Sequence, residues 1–215
     1  MVKTLRSLKL RGEEVYEFAR EQWRKIFVRE NLHLFEKPLP VHRRIEAKVE
    51  VKVKLASSSD VLRLTERFGG RGKMEALKRG HLCFIAEIEG EIVHYKWVTF
   101  DEVYVSELKR KMHLNCNSAY IYAVYTVPRF RGLGIDPKVT ISVFDYLYGK
   151  GVEKVHILVS SSNFPSLRVV QKVGYRKMGE IGFLQVFSYK KYAYKGSTET
   201  YHSKIKELFS LQQSD

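Results

Sequence analysis

The chain is poor in cysteine: two in 215 residues, Cys83 and Cys116. They stand in dissimilar surroundings without Cys-x-x-Cys spacing, so neither a disulfide framework nor a thiolate metal site is suggested. A reducing cytoplasm is the expected compartment, and no metal is expected. Long apolar runs are missing too. Nothing approaches the roughly 20 residues of a membrane span, and the opening MVKTLRSLKLRGEE has no signal-peptide core. A soluble intracellular protein is expected, with no membrane partner. Five prolines, 14 glycines and 44% hydrophobic residues exclude collagen and disordered classes. Acidic residues are the scarcer sign, 24 against 38 basic, for a formal charge of +14. Such a chain is drawn to polyanions: nucleic acid, anionic surfaces or phosphorylated coenzymes.

From Glu13 to Glu30 the apolar residues Val15, Phe18, Ala19, Trp23, Ile26 and Phe27 recur at helical spacing. The spacing predicts an amphipathic helix, followed by a linker at Lys37-Pro-Leu-Pro40. In Lys48 to Leu55 the period becomes two, with valines and Leu55 alternating with charged residues, as a half-buried strand requires. Capping oxygens at Ser57 to Asp60 introduce a helix to about Phe68, and a short one is expected over Lys73 to Lys78. His81 to Glu89 and Glu91 to Phe100 read as an antiparallel hairpin. Glu102 to Asn117 carries no clear pattern. Ala119 to Val127 reads as a strand covered on both faces. Further along come a helix to Gly149, a strand over Val155 to Val159, a helix over Ser166 to Val173 and at least two β segments over Tyr175 to Tyr194. A terminal helix fits Thr198 to Leu211. The expected fold is mixed α/β, with the sheet flanked by helices. It divides into an amino-terminal strand-helix appendage and linker (1–43), a main domain (44–195) and a helical tail (196–215).

The most informative segment is Pro128-Arg-Phe-Arg-Gly-Leu-Gly-Ile-Asp136, between a strand and a helix. Glycines allow close backbone approach, and a helix N-terminus carries partial positive charge, so a diphosphate is the natural ligand. The same turn can need glycine for its dihedrals alone. It is neither the Gly-x-Gly-x-x-Gly of dinucleotide folds nor a P-loop.

Pro128-x-x-Arg131-Gly-x-Gly134-Ile135, taken with Asn163-x-x-Ser166 and Lys172-Val-Gly-Tyr175, resembles the GNAT superfamily of acetyl-CoA-dependent N-acyltransferases over roughly Val49 to Tyr189. The resemblance implies a mostly antiparallel sheet and acetyl-CoA as co-substrate. It implies that Val124, Tyr125 and Thr126 line the pantetheine arm through their backbone, and that Arg131, Gly132, Gly134, Ile135 and Asp136 surround the diphosphate. Asn163 would hydrogen-bond the pantetheine amides. Two positions depart from the family pattern. Asp136-Pro137 stands where the loop normally ends in Gly or Ala, and it reads as helix cap followed by first helical residue. Val170 stands where many members place a tyrosine that protonates the departing thiolate.

No carboxylate lies on the strand Tyr120 to Thr126, where a general base for the amine would be sought. The remaining candidates are His94, Tyr122 and Tyr125, each with a structural reading beside it: a lone strand histidine is commonly structural, and strand tyrosines commonly pack a core or pocket. The expected function is acetyl transfer from acetyl-CoA to an amine by direct attack, the acceptor being a small molecule or a protein. The alternative is a catalytically inactive module of the same fold with non-specific nucleic-acid affinity. Oligomeric state stays open, a homodimer included.

Overall fold

In the computed structural model, which describes residues 27–70 and 72–210, eight strands form one sheet. They are β1 (Phe27–Pro38), β2 (Lys52–Leu55), β3 (Leu82–Ile88), β4 (Glu91–Thr99), β7 (Ser118–Thr126), β8 (Lys154–Ser160), β9 (Arg176–Val186) and β10 (Tyr189–Gly196), in the order β10-β9-β1-β8-β7-β4-β3-β2. All neighbours are antiparallel except β7 and β8. A small hairpin, β5 (Val103–Val105) and β6 (Arg110–Met112), fills the stretch without a sequence pattern. The helices are α1 (Ser58–Phe68), α2 (Gly72–Lys78), α3 (Ile135–Gly149), α4 (Phe164–Val173) and α5 (Glu199–Phe209). The mixed, mostly antiparallel sheet flanked by helices is the expected class.

Alternation along the strands distributes the helices. Phe84 and Ala86 of β3 pack with Val139, Val143 and Phe144 of α3, while Cys83 and Ile85 pack with Val61 and Leu64 of α1. On the α3 side, α4 adds Val170 against Phe35 and Val159. On the α1 side, α5 contributes Ile205, Leu208 and Phe209 to a cluster with Leu32, Leu34, Met178 and the β5–β6 hairpin. Burying one such large apolar side chain is worth about 1.5–3 kcal/mol, so α1, α3, α4 and α5 are fixed by their apolar stripes more than by intrinsic propensity.

Two expectations need correction. The helix over Glu13 to Glu30 cannot include its last residues, because Phe27–Pro38 is strand β1; residues 13–26 lie outside the described part. β1 runs between β8 and β9 and pairs with both, so the boundary at residue 43 falls after a strand of the main sheet. Second, the strand over Lys48 to Leu55 is regular only from Lys52. Its first residues turn away to the glycine-rich loop, where the Lys48 amide donates to Leu133 O at 2.8 Å.

Candidate active site

Parallel pairing of β7 with β8 covers only Ser118 to Ile121 against Lys154 to Ile157. Beyond Ile121 the two strands have no further ladder partners in common, and a fork opens between them. On its other edge β7 carries a bulge. Trp97 pairs with Tyr122 and Tyr95 with Tyr125, so Lys96 alone faces both Ala123 and Val124. Ala123 takes a φ of +46°, and such a bulge leaves a residue outside the ladder and re-aims its neighbours. The fork and bulge together open a groove of about 440 Å³, lined among others by Val124, Thr126, Arg131, Gly134, Asn163 and Ser166.

The glycine-rich loop forms one wall of that groove. Gly132 and Gly134 have φ of +77° and +80°, the left-handed region where a side chain is strained. The amides of Gly132, Leu133 and Gly134 donate to no other group of the described chain, and they stand at the N-terminus of α3. Free amides at a helix N-terminus facing a groove are an anion site. Arg131 reaches back along the strand: its Nε donates to Thr126 O at 3.1 Å, and its guanidinium lies over the Tyr125 ring. Across the groove, Asn163 Oδ1 accepts from the Ser166 amide at 3.2 Å and so caps α4.

Asp136 does not cap α3. Gly134 occupies the cap position, Asp136 is the second helical residue and Pro137 the third. Proline is tolerated there because the first amides of a helix have no intrahelical acceptor. The Asp136 carboxylate turns towards the sheet. Lys96 Nζ donates to its Oδ1 at 2.6 Å and also to Thr140 Oγ1, whose hydroxyl is in turn 3.1 Å from Oδ1. Burial pushes the Asp136 carboxyl up, but the charge of the Lys96 ammonium, with the hydrogen bonds from Lys96 and Thr140, outweighs burial and holds it below the usual carboxylate range.

Residues 55–175 match the acetyltransferase (GNAT) family. The chain belongs to this family. No curated protein matches it. Among solved structures it is similar to a GNAT-family protein from Novosphingobium aromaticivorans, at 16% identity and a TM-score of 0.55 over 79% of this chain and 66% of that one. A Drosophila protein is similar at 10% identity and a TM-score of 0.52, over 82% of this chain and 57% of that one. The glucosamine N-acetyltransferase region of a fungal multi-domain β-N-acetylglucosaminidase is similar at 13% identity and a TM-score of 0.55, over 82% of this chain and 23% of that one. The chain thus spans less than two thirds of each of these chains, and the likeness is one of fold.

Within this GNAT fold the candidate site residues fall into three groups. Val124, Tyr125, Thr126, Arg131, Gly132, Gly134, Ile135, Asp136 and Asn163 all line the one groove. His94 lies on the α3 face of β4, wholly buried, with Nδ1 2.7 Å from Thr126 Oγ1. Burial pushes it down to about 3, so it is neutral and sealed from any acceptor amine. Val170 is packed between Phe35 and Val159 and supplies no proton.

Tyr122 is the first β7 residue beyond the last pair with β8, and it points to the face opposite α3, where two apolar clusters meet. Its hydroxyl lies 2.5 Å from His81 Nδ1, and His81 Nε2 lies 3.3 Å from Thr99 Oγ1. Burial holds the Tyr122 phenol well above its ordinary value. Burial, with Arg79 adding to it, lowers His81. A protonated phenol thus faces a neutral imidazole that Thr99 orients. Tyr125 instead stacks on Tyr95 and packs against Phe68, an aromatic wall rather than a proton carrier. Sequence reasoning passed over His81, since it stands at the start of a strand, 41 residues from its partner. It also passed over Lys96, which is 2% exposed.

Proposed function

We propose that the protein is an acyl-CoA-dependent N-acyltransferase that moves an acetyl group from acetyl-CoA to an amine in one direct step. The observation that carries this is the run of unengaged amides at Gly132, Leu133 and Gly134 beside a groove that leads to the β7–β8 fork. The amides hold the coenzyme diphosphate, with Arg131, Ile135 and Asp136 around it. Val124, Tyr125, Thr126 and Asn163 hold the pantetheine arm. The thioester carbonyl then lies at the bulge, where backbone N–H groups can meet the developing oxyanion.

A thioester is reactive enough that positioning against a neutral amine supplies most of the acceleration. The amine nitrogen attacks the carbonyl carbon, the C–S bond breaks and its electron pair leaves on sulfur. The amine proton passes to His81 through the Tyr122 hydroxyl, which gives its own proton to Nδ1 as it takes one. With Val170 where a hydroxyl would stand, water in the groove protonates the thiolate. Calorimetry with CoA tests the coenzyme site: the wild type binds. A wild type that does not bind CoA overturns the proposal.

A further inference from the structure

A carboxylate in the first turn of α3 is the wrong charge beside a diphosphate, and it is also an acceptor that could claim the amides the diphosphate needs. The structure shows where it goes instead. Asp136 Oδ1 is held by Lys96 Nζ at 2.6 Å, and none of the described amides donates to the Asp136 side chain. About a fifth of that side chain remains accessible, and the residue lines both the coenzyme groove and a recess of about 30 Å³ at the fork, shared with Lys96, Thr140, Ile121 and Ile157. Lys96 reaches this point because β4 lies inside the sheet and the β7 bulge sets it opposite Ala123 and Val124. Two further titratable groups face the carboxylate: His94, whose Nε2 lies 3.9 Å from the same Oδ1 and which is neutral, and Tyr175, which shares the recess and whose phenol is held protonated by burial and by the Asp136 charge.

We propose that Lys96 is a positioning residue for the coenzyme. It acts through Asp136: its ammonium draws the carboxylate to the sheet side of the loop, cancels its charge and leaves the Gly132 to Gly134 amides to the diphosphate. A buried ammonium would serve no such purpose with the carboxylate removed, so the two residues must be coupled. The role rests on the coenzyme site described above.

A double-mutant cycle read as CoA affinity by calorimetry tests it. Lys96→Met should weaken CoA binding at least about tenfold, because an unpaired carboxylate now faces the loop, while Lys96→Met/Asp136→Asn should return to within about threefold of the wild type. A folded Lys96→Met protein with wild-type affinity, or a double variant as weak as the single, overturns the proposal. If Lys96→Met does not fold, Asp136→Asn is compared with the double variant instead. Loss of Lys96 should then cost less than about threefold, and a cost of about tenfold would show that Lys96 touches the coenzyme directly and overturn the coupling. A wild type that fails to bind CoA is a different result, and it sinks the coenzyme site itself.

Discussion

The two faces of β7 solve the burial of polar groups in opposite ways. Towards α3 the buried groups are ions, Lys96 and Asp136, joined with Thr140. Towards α1 they are neutral, Tyr122 with His81 and Thr99. An ion pair in the interior is costly to build and costly to break, and it is weak evidence for stability; here it sits directly behind a loop of free amides. A neutral hydroxyl–imidazole pair does little to a local field at rest, and a proton passed through it comes to lie on His81, which is only half-buried. In the function proposed above, one face receives an anion and the other moves a proton, with the fork between them.

The strongest way to break this division is at the loop. Gly134→Val puts a β-branched residue at φ +80°, where a Cβ would also meet Ala47 Cα and Glu46 O at 3.4 Å. Those contacts are ordinary, so the backbone strain carries the effect: the loop must turn, and its amides turn with it. CoA affinity should fall by at least about 100-fold, while the circular dichroism spectrum stays that of the wild type. A variant that binds CoA normally would place the diphosphate elsewhere.

Acid separates the faces by a smaller amount. His94, towards α3, is pushed down by burial to about 3, and His156, on the opposite face, to about 4. Both then bind fewer protons folded than unfolded below about pH 6.5, so stability rises with pH between their folded values and 6.5 and is lost as pH falls through that window. At pH 5 each contributes up to about 2 kcal/mol of loss relative to neutral pH. Melting temperature measured from pH 7 to 5 should therefore drop, and His156→Leu should flatten part of the drop. If it does not, His156 is not among the groups that make the fold acid-sensitive.

On the proton-moving face, Tyr122→Phe removes the hydroxyl and keeps the ring. CoA affinity should stay within about threefold, whereas thiol release from acetyl-CoA in the presence of a polyamine, an aminoglycoside and a peptide amine should fall by about tenfold or more. Equal losses in affinity and turnover would mean that Tyr122 shapes the groove instead.

Much of the groove was legible because its residues are contiguous. Strand, Gly132-Leu-Gly134 and helix are local patterns, and their chemistry follows from backbone geometry. What stayed hidden depends on partners remote in sequence. The first residues of β1, Phe27 to Glu30, were taken for the end of a helix and the rest of the strand went unassigned, because its partners β8 and β9 lie far along the chain. Lys96 drew no attention because nothing local says that β4 lies inside the sheet. Asp136-Pro137 looked like a cap because the glycine that really caps α3 precedes it by two residues, and only the position of Lys96 explains which way the carboxylate turns.

The finest test of the comparison concerns Asn163, which has two tasks across the groove from the loop. Its Oδ1 caps α4, and its Nδ2 is left to meet a pantetheine carbonyl. Asn and Asp are about equally good caps, and Ala costs about 0.5–2 kcal/mol at such a position. Asn163→Asp should therefore keep the melting temperature while exchanging a donor for a charged acceptor. CoA affinity should fall by about threefold to tenfold, the loss of one hydrogen bond to a neutral group. Asn163→Ala should lose both stability and affinity. If Asn163→Asp instead binds CoA as tightly as the wild type, the residue serves the helix alone, and the pantetheine arm is held by β7 without help from α4.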